Sequence, residues 1–218
     1  MKEKKEIFEI NEYNSLTAYY NSDRNITEIT VPEGVKHILF RVFEKYKKLD
    51  IVTLPDSIKY IESSAFWNAD SPCSTNVRSI IYRGVTFRPT IDSLYIADVI
   101  DMIANKNYSY ILSHNLKYPI ILQIYFNDGD DVTTAYIKKN FKKFFIFLTD
   151  EIIFQNKCGF KGLYFEYIED VSEIMKKLIS CGKFITKRNI NTYLRYADEH
   201  ECYEVFDMLE ECREENNF

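Results

Sequence analysis

The sequence has few of the residues that interrupt regular structure or carry chemistry. Its 218 residues include six glycines, five prolines, three histidines and one tryptophan, so we expect short loops. The longest apolar run, Phe144–Leu148, is far shorter than the roughly 20 residues that span a bilayer. No apolar stretch follows the charged start, Met1–Glu6, so a signal peptide is not expected. These absences predict a soluble, cytoplasmic chain that does not insert into membranes.

The cysteines show neither a disulfide framework nor a zinc motif. They are odd in number, widely spaced, and include no Cys-x-x-Cys pair, which is typical of reduced thiols in the cytosol. His200 and Cys202 are close in sequence, but two further metal ligands are missing nearby. We therefore expect no metal and no cofactor. The five cysteines are Cys73, Cys158, Cys181, Cys202 and Cys212.

Acidic residues outnumber basic ones, and the excess lies in the second half. Residues 1–90 carry 13 Lys/Arg and 12 Asp/Glu, whereas residues 91–218 carry 15 and 21. Phosphate backbones are bound mainly by Lys and Arg, so this balance argues against nucleic acid as a partner. A single dense basic patch indicates a solvated helix face or, alternatively, a helix lying on a membrane surface. The patch comprises Lys138, Lys139, Lys142 and Lys143.

A tandem repeat over Ile26–Trp67 organises the first part of the chain. Shifting its first half by 23 residues places Phe43 on Phe66 and apolar positions on apolar positions. In each copy, alternating apolar residues predict a short strand, a proline ends it, and the phenylalanine fills the core. A third copy follows at an offset of 28, because five extra residues lie in a polar stretch, Asn68–Asn76, that predicts a surface loop. Before the repeat, short strands are expected to cap the array.

The second copy carries a longer motif. It reads Leu49-x-x-Val52-x-Leu54-Pro55-x-x-Ile58-x-x-Ile61-x-x-x-Ala65-Phe66. A strand ending in Leu-Pro, followed by Ser-Ile-x-x-Ile and an Ala-Phe plug, resembles the BspA-like class of leucine-rich repeats. The resemblance covers about residues 16–87 and implies a short β-rich solenoid. Gly34 and Ser57 stand where the ordinary leucine-rich pattern has Asn or Cys, so an asparagine ladder is not expected.

Alternate positions of the three repeat strands predict a candidate interaction face. If Ile29, Val52 and Ile80 point inward, their neighbours point outward. Two outward isoleucines would form an apolar stripe on a polar surface. Such a stripe indicates either a recognition face or a surface that the helical domain covers. The outward residues are Glu28, Thr30, Ile51, Thr53, Ser79 and Ile81.

Beyond Pro89 the apolar period changes from 2 to about 3.6, which predicts helices. The longest is expected from Val132 to about Leu148. Before it, Asn127–Asp131 favours a glycine turn and an aspartate N-cap over a calcium loop, because no Glu stands at the twelfth position. Near the end of the chain, Leu178–Leu209 has paired helical stripes at a spacing close to 33 residues and resembles an ankyrin repeat.

We therefore predict an α+β chain with a leucine-rich repeat domain at 1–89 and an all-α, ankyrin-like domain at 90–218. No nucleophile elbow, P-loop or dinucleotide-binding motif is present, so the sequence favours a non-catalytic module that binds another protein. Two alternatives stay open. The BspA-like resemblance allows a cell-surface or secreted adhesin, and a Cys–His pair assembled in space could serve a hydrolase.

Overall fold

The computed structural model describes residues 6–62, 64–68, 71–75, 77–88, 93–110, 114–159 and 170–218. It divides into two compact units, Met1–Leu112 and Ser113–Phe218, which we call the repeat unit and the helical unit. The expected boundary at Pro89 lies outside the described residues. The observed division comes later in the chain, because the first helix after the strands groups with the repeat unit.

Ten strands and six helices are present in this part of the chain. The strands are β1 (Glu6–Ile10), β2 (Ser15–Asn21), β3 (Glu28–Thr30), β4 (His37–Ile38), β5 (Ile51–Thr53), β6 (Tyr60–Ile61), β7 (Trp67–Asn68), β8 (Ser71–Thr75), β9 (Ser79–Tyr82) and β10 (Val85–Phe87). The helices are α1 (Ser93–Asn105), α2 (His114–Asp128), α3 (Asp131–Cys158), α4 (Val171–Ser180), α5 (Ile190–Glu199) and α6 (Tyr203–Glu215). Strands precede helices, which confirms the α+β class.

The strands of the repeat unit form two four-stranded sheets. Their orders are β1-β2-β4-β6 and β10-β9-β5-β3. In the second sheet Ile29 lies opposite Val52, and Val52 lies opposite Ile80, in parallel register. This register confirms both offsets that the sequence predicts. β2 pairs in parallel with β4, and β1 pairs antiparallel with β2 at the end of this sheet, which confirms one short cap strand.

A column of aromatic rings fills the interior of the repeats. Phe43 and Phe66, the predicted plugs, are 3% and 5% exposed, and their ring centroids are 5.6 Å apart. Tyr19 packs against Phe43 at 5.8 Å and against Tyr46 at 4.9 Å. The buried Tyr46 hydroxyl donates to the Tyr19 carbonyl and accepts from the Asn21 amide. Rings from successive repeats thus form one continuous core.

A serine joins neighbouring repeats at the turn after the strand. The Ser57 hydroxyl accepts a hydrogen bond from the Gly34 amide at 3.0 Å and donates to the Val35 carbonyl at 2.8 Å. Gly34 has a φ of +89°, a left-handed conformation that favours glycine. Ser57 therefore bridges the two repeats through its side chain, at the position where the ordinary pattern has asparagine.

We expect Ser57→Ala to lower the free energy of unfolding of the repeat unit by about 1–2 kcal/mol, because two hydrogen bonds between repeats are lost. Ser57→Thr keeps the hydroxyl and should retain most of that stability. Urea unfolding of both variants and the wild type would measure the difference. Equal stability of all three proteins would show that the bridge is energetically neutral.

The extra residues of the third copy form a hairpin, where the sequence predicts a surface loop. β7 pairs antiparallel with β8, and Trp67 lies opposite Thr75. A strand of two residues is too short to show an alternating pattern, so its pairing was not predictable from periodicity. The hairpin lies between β6 and β9 in the chain and leaves the parallel register of β5 and β9 intact.

Helix α1 belongs to the repeat unit and packs against β6, at the end of the first sheet. Its buried residues recur at intervals of three or four, as one face of a helix requires. Together they extend the apolar core past the last parallel strand of this sheet. They are Ile96, Val99, Ile100, Met102 and Ile103.

The helical unit contains α3, the longest helix in the described part of the chain. The Asp130 carboxylate caps its start by accepting from the Thr133 amide at 2.8 Å, and Gly159 ends it with a φ of +74°. The aspartate cap and the glycine turn at Gly129 confirm the interpretation of Asn127–Asp131. The helix continues well past the predicted end near Leu148 because Ile152 prolongs the buried stripe.

The helices of this unit pack in pairs, α2 with α3, α3 with α4, α4 with α6, and α5 with α6. Their apolar stripes face the core, as the period of about 3.6 predicts. On α3, Phe141, Phe144 and Phe145 are buried, and Phe145 lies 4.5 Å from the Tyr193 ring of α5. Aromatic contacts therefore connect helices that are distant in sequence.

Candidate functional site

The predicted interaction face lies on one side of the sheet formed by β3, β5 and β9. Parallel pairing aligns its residues across the strands, and alternate residues of a strand share a side. The ladder therefore brings all six residues together in two rows. The rows are Glu28–Ile51–Ser79 and Thr30–Thr53–Ile81.

Exposure varies across this face. The two residues on β3 are exposed, whereas Ile51, Thr53 and Ile81 are half-buried. Ser79 is only 7% exposed and contributes almost no accessible surface. The accessible part of the face thus runs from β3 across β5 to Ile81.

Two features beside the face escaped the sequence analysis. Thr86 of β10 lies opposite Ile81 and extends the second row by one strand. Just before β5 and β9, Arg78 donates two hydrogen bonds to Asp50, at 2.7 and 2.6 Å. These bonds hold the pKa of the Asp50 carboxyl below its usual range. Asp50 and Arg78 are separated in the sequence by 28 residues, which is the offset of the third copy. This equal spacing is a signal that could have identified the pair.

A cleft of about 470 Å³ lies between the turns of the repeats and α1. Its volume is in the range of ligand pockets. Its lining includes no residue of the predicted face. The turns contribute Lys36, Asp56, Ser57, Ile58, Lys59 and Arg83, the end of β9 contributes Tyr82, and α1 contributes Ala97, Ile100, Asp101, Ala104 and Asn105.

Three basic side chains and one carboxylate line the turn side of this cleft. Lys36 and Lys59 occupy equivalent positions in adjacent repeats, since the residues that follow them, His37 and Tyr60, pair in register. Neither lysine forms an ion pair with any residue that the structure describes. Arg83 does have an acidic neighbour, because its Nε lies 3.5 Å from the carboxylate of Asp56.

Asp101, on the helix side of the cleft, is held by its own neighbours. Its carboxylate accepts hydrogen bonds from Asn105 at 2.5 Å, from Asn107 at 3.0 Å and from the Tyr110 hydroxyl at 2.8 Å. The bond from Asn105 is the main reason that the pKa of Asp101 lies below its usual range. These bonds stabilise the turn after α1 and make Asp101 a weak base.

Tyr82 is a buried polar residue in the cleft lining. Tyr82 is 1% exposed, and the Arg83 guanidinium lies 5.4 Å from the centre of the Tyr82 ring. The hydroxyl has no hydrogen-bond partner within the described ranges of the chain. Burial raises the pKa of this hydroxyl, so it is protonated and available as a donor.

Ser15 is close to a histidine in space and Cys202 is close to one in sequence, but neither residue is an activated nucleophile. Ser15 Oγ is 3.2 Å from His37 Nδ1, yet Ser15 is only 5% exposed, so a substrate carbonyl cannot reach it. His200 Nδ1 lies 2.8 Å from the Tyr196 carbonyl, and burial raises the pKa of the Cys202 thiol, which follows His200 in the sequence. A raised thiol pKa disfavours the thiolate that would attack a substrate.

Thiol labelling should divide the cysteines of the helical unit into two classes. Cys158 and Cys181 are exposed, whereas Cys202 and Cys212 are buried and burial raises their pKa. We expect the exposed pair to react with Ellman's reagent at least roughly tenfold faster in the native protein. Peptide mass spectrometry would assign the sites, and denaturant should abolish the difference. Fast native labelling of Cys202 would favour the Cys–His alternative.

The described part of the chain offers neither a metal cluster nor a membrane-spanning helix. Within it, no three His, Cys, Asp or Glu side chains are placed to hold a metal ion. None of the described helices is long and apolar enough to cross a bilayer. The basic patch of α3 is exposed, whereas the phenylalanines that a membrane-surface helix would need are buried in the core. The exposed residues are Lys138, Lys139, Lys142 and Lys143.

Comparison with known families identifies one region of the chain. Residues 14–121 match the family model described as BspA type Leucine rich repeat region (6 copies). No curated protein and no solved structure is significantly similar to the chain. The matched range contains β2–β10 and α1 and ends within α2, so it does not reach Leu178–Leu209, the segment with an ankyrin-like pattern.

Proposed function

Because residues 14–121 form a BspA-type leucine-rich repeat region that a helical region follows, we propose that the chain is a non-catalytic recognition module that binds a protein partner. Repeats of this kind stack into extended surfaces, which suit a macromolecule better than a metabolite. Leucine-rich repeat modules are typically non-catalytic and generally mediate protein interaction.

The observation that carries this proposal is the composition of the sheet face. Its accessible row, Thr30–Thr53–Ile81–Thr86, carries hydroxyl and apolar groups and no charge. The cores of protein interfaces are depleted in charged residues, and their polar groups lie at the rim. Glu28, in the neighbouring row on the first strand, provides a charge at the margin. This arrangement fits a partner that packs flat against the strands.

Affinity capture from a lysate of the source organism tests this proposal. The bait is the full chain, and the variant Thr53→Arg combined with Ile81→Arg places two charges in the centre of the face. Thr17→Arg, at an exposed position of β2 in the other sheet, is the matched control. Thermal unfolding should first show that all three baits are folded.

We expect one protein to be captured by the wild type and the control and to be lost with the face variant. Two buried charges without partners would reduce affinity by roughly a hundredfold or more. Capture that is equal with all three baits would place the interaction elsewhere. If the chain chemically modifies the protein that it captures, the non-catalytic assignment is contradicted.

A cytoplasmic location is part of the same proposal, and the adhesin is its alternative. Fractionation of source cells, followed by detection of the full-length protein, distinguishes them. Recovery in the soluble cell extract supports the proposal. Recovery in the extracellular or surface fraction would replace it with the adhesin.

The ankyrin-like relation of the last helices also belongs to the proposal. α5 packs on α6, and α6 packs on α4, so helices of successive predicted units are in contact. The stripe residues Ile190, Tyr193, Leu194 and Ala197 of α5 are all buried. Such pairing supports helix-pair stacking as a second surface-forming module in the chain.

A further inference from the structure

We propose that the cleft between the repeat turns and α1 binds an acidic side chain of an extended peptide, with Lys36 and Lys59 as its cationic partners and the Tyr82 hydroxyl as a hydrogen-bond donor. The inference rests on the proposed function, because the peptide would be a segment of the protein partner. It adds a second binding site, since none of the cleft residues belongs to the sheet face.

The two lysines are the first support for an anionic ligand. The Lys59 amide donates to the Lys36 carbonyl at 2.8 Å, so the two residues lie side by side, directly before the adjacent strands β4 and β6. Backbones that are paired in this way are about 4.8 Å apart, so the two side chains start from neighbouring points and their like charges repel each other. Neither side chain has an acidic partner among the described residues. An anion between them would convert this repulsion into attraction.

The two acidic residues of the cleft offset only part of its positive charge. Asp56 lies beside Arg83, and the oxygens of Asp101 already accept three hydrogen bonds from Asn105, Asn107 and Tyr110. Asp56 is 71% exposed and can move away from an incoming carboxylate. The three cationic residues Lys36, Lys59 and Arg83 thus outnumber the two carboxylates, and the cleft lining is positive by one charge although the chain as a whole carries a net charge of −5.

Tyr82 supplies the second and independent support. It is 99% buried, lines the cleft, and its hydroxyl has no partner within the described residues. The hydroxyl oxygen is not among the fully buried unpaired side-chain atoms of the described residues, so it is accessible and can donate a hydrogen bond to a ligand in the cleft. A carboxylate in the cleft would accept this bond, and hydrogen bonds to charged groups are the stronger ones.

The opposite wall favours a peptide as the carrier of that carboxylate. α1 presents Ala97 and Ala104 to the cleft, one above and one below Ile100 on the same side of the helix. Small side chains at these positions leave room for a backbone, and Ile58 and Ile100 offer apolar contacts. The wall thus matches a chain in which acidic residues alternate with small apolar ones.

Fluorescence anisotropy with labelled peptides of eight alternating residues tests this site. The probe alternates Glu and Ala, the neutral control alternates Gln and Ala, and both are titrated with the full chain. We expect the acidic probe to bind at least roughly tenfold more tightly than the neutral one, and its affinity to fall as salt is added. Equal affinity of the two peptides would overturn the proposal.

Three variants and one control assign the binding to the cleft. Lys36→Gln, Lys59→Gln and Tyr82→Phe should each weaken the acidic probe about tenfold, because each removes one charge-assisted bond. Lys48→Gln removes the same charge from an exposed lysine that does not line the cleft, and it should bind like the wild type. Loss of affinity that is equal in Lys48→Gln would indicate attraction to the whole protein and would refute the site.

Competition and capture separate the remaining outcomes. Displacement of the probe by inorganic phosphate at the same concentration would identify a site for free anions and overturn the peptide assignment. If lysate capture depends on Thr53 and Ile81 while the acidic probe fails to bind, the cleft proposal fails and the proposed function stands. If the probe binds through Lys36 and Lys59 but no protein is captured, the cleft is a ligand site and the partner proposal fails.

Discussion

Replacing Phe43 by alanine should lower the free energy of unfolding of the repeat unit by about 3–5 kcal/mol. The side chain is 3% exposed, stacks on Phe66 from the next repeat, and contacts Tyr19 on the other side. Its removal therefore opens a cavity that adjoins two repeats. Because domains are stable by only about 5–15 kcal/mol, this loss leaves the unit close to unfolding at physiological temperature.

The single tryptophan makes this prediction measurable by fluorescence. Trp67 lies in the repeat unit, so its emission during urea titration follows the unfolding of that unit. Phe40→Ala is the matched control, because Phe40 is three residues away and 55% exposed. We expect the control to stay within about 0.5 kcal/mol of the wild type. A similar loss in both variants would mean that the aromatic column does not hold the repeats together.

Phe145→Ala should destabilise the helical unit by a similar amount, about 3–5 kcal/mol. Phe145 of α3 is fully buried, and its ring centroid lies 4.5 Å from Tyr193 and 6.0 Å from Tyr196, both of α5. The substitution removes one of the rings that join these two helices. It also removes the ring contact that helps to position Tyr196, whose hydroxyl donates a hydrogen bond to Asp150 at 3.2 Å.

Far-ultraviolet circular dichroism would follow the unfolding of the helical unit, since five of the six described helices belong to it. Phe154→Ala, at a position on the same helix that is 39% exposed, serves as its control. We expect the control to lose less than about 1 kcal/mol. A loss in Phe145→Ala as small as that of the control would contradict the central role of α3 in the core.

The repeat architecture was predictable because its signals are local and periodic. Ile29 and Val52 are equivalent in sequence, and equivalent residues of stacked repeats must meet in the ladder. The same reasoning placed Phe43 over Phe66, and a single insertion placed Ile80 beside Val52. Helical stripes and the cap at Asp130 were equally readable, since both follow from the 3.6-residue period and the chemistry of helix ends.

The features that were not predictable depend on contacts between distant residues. Helix α1 shows the period of any amphipathic helix, and nothing in its own sequence indicates that it packs on β6. The cleft follows from that packing, so Lys36 and Asp101 could not be placed at one site. Ser57 resembles an ordinary turn residue, and its bridge to Gly34 depends on the geometry of the neighbouring repeat.

The position of α1 also determines how the repeats can be produced in isolation. A recombinant fragment that stops at Pro89, where the period changes, would lack this helix and leave β6 at a bare sheet edge. Unprotected edges recruit strands from other molecules, so such a fragment should aggregate during purification. A fragment that ends at the division after Leu112 keeps the helix and should elute as a single species in gel filtration.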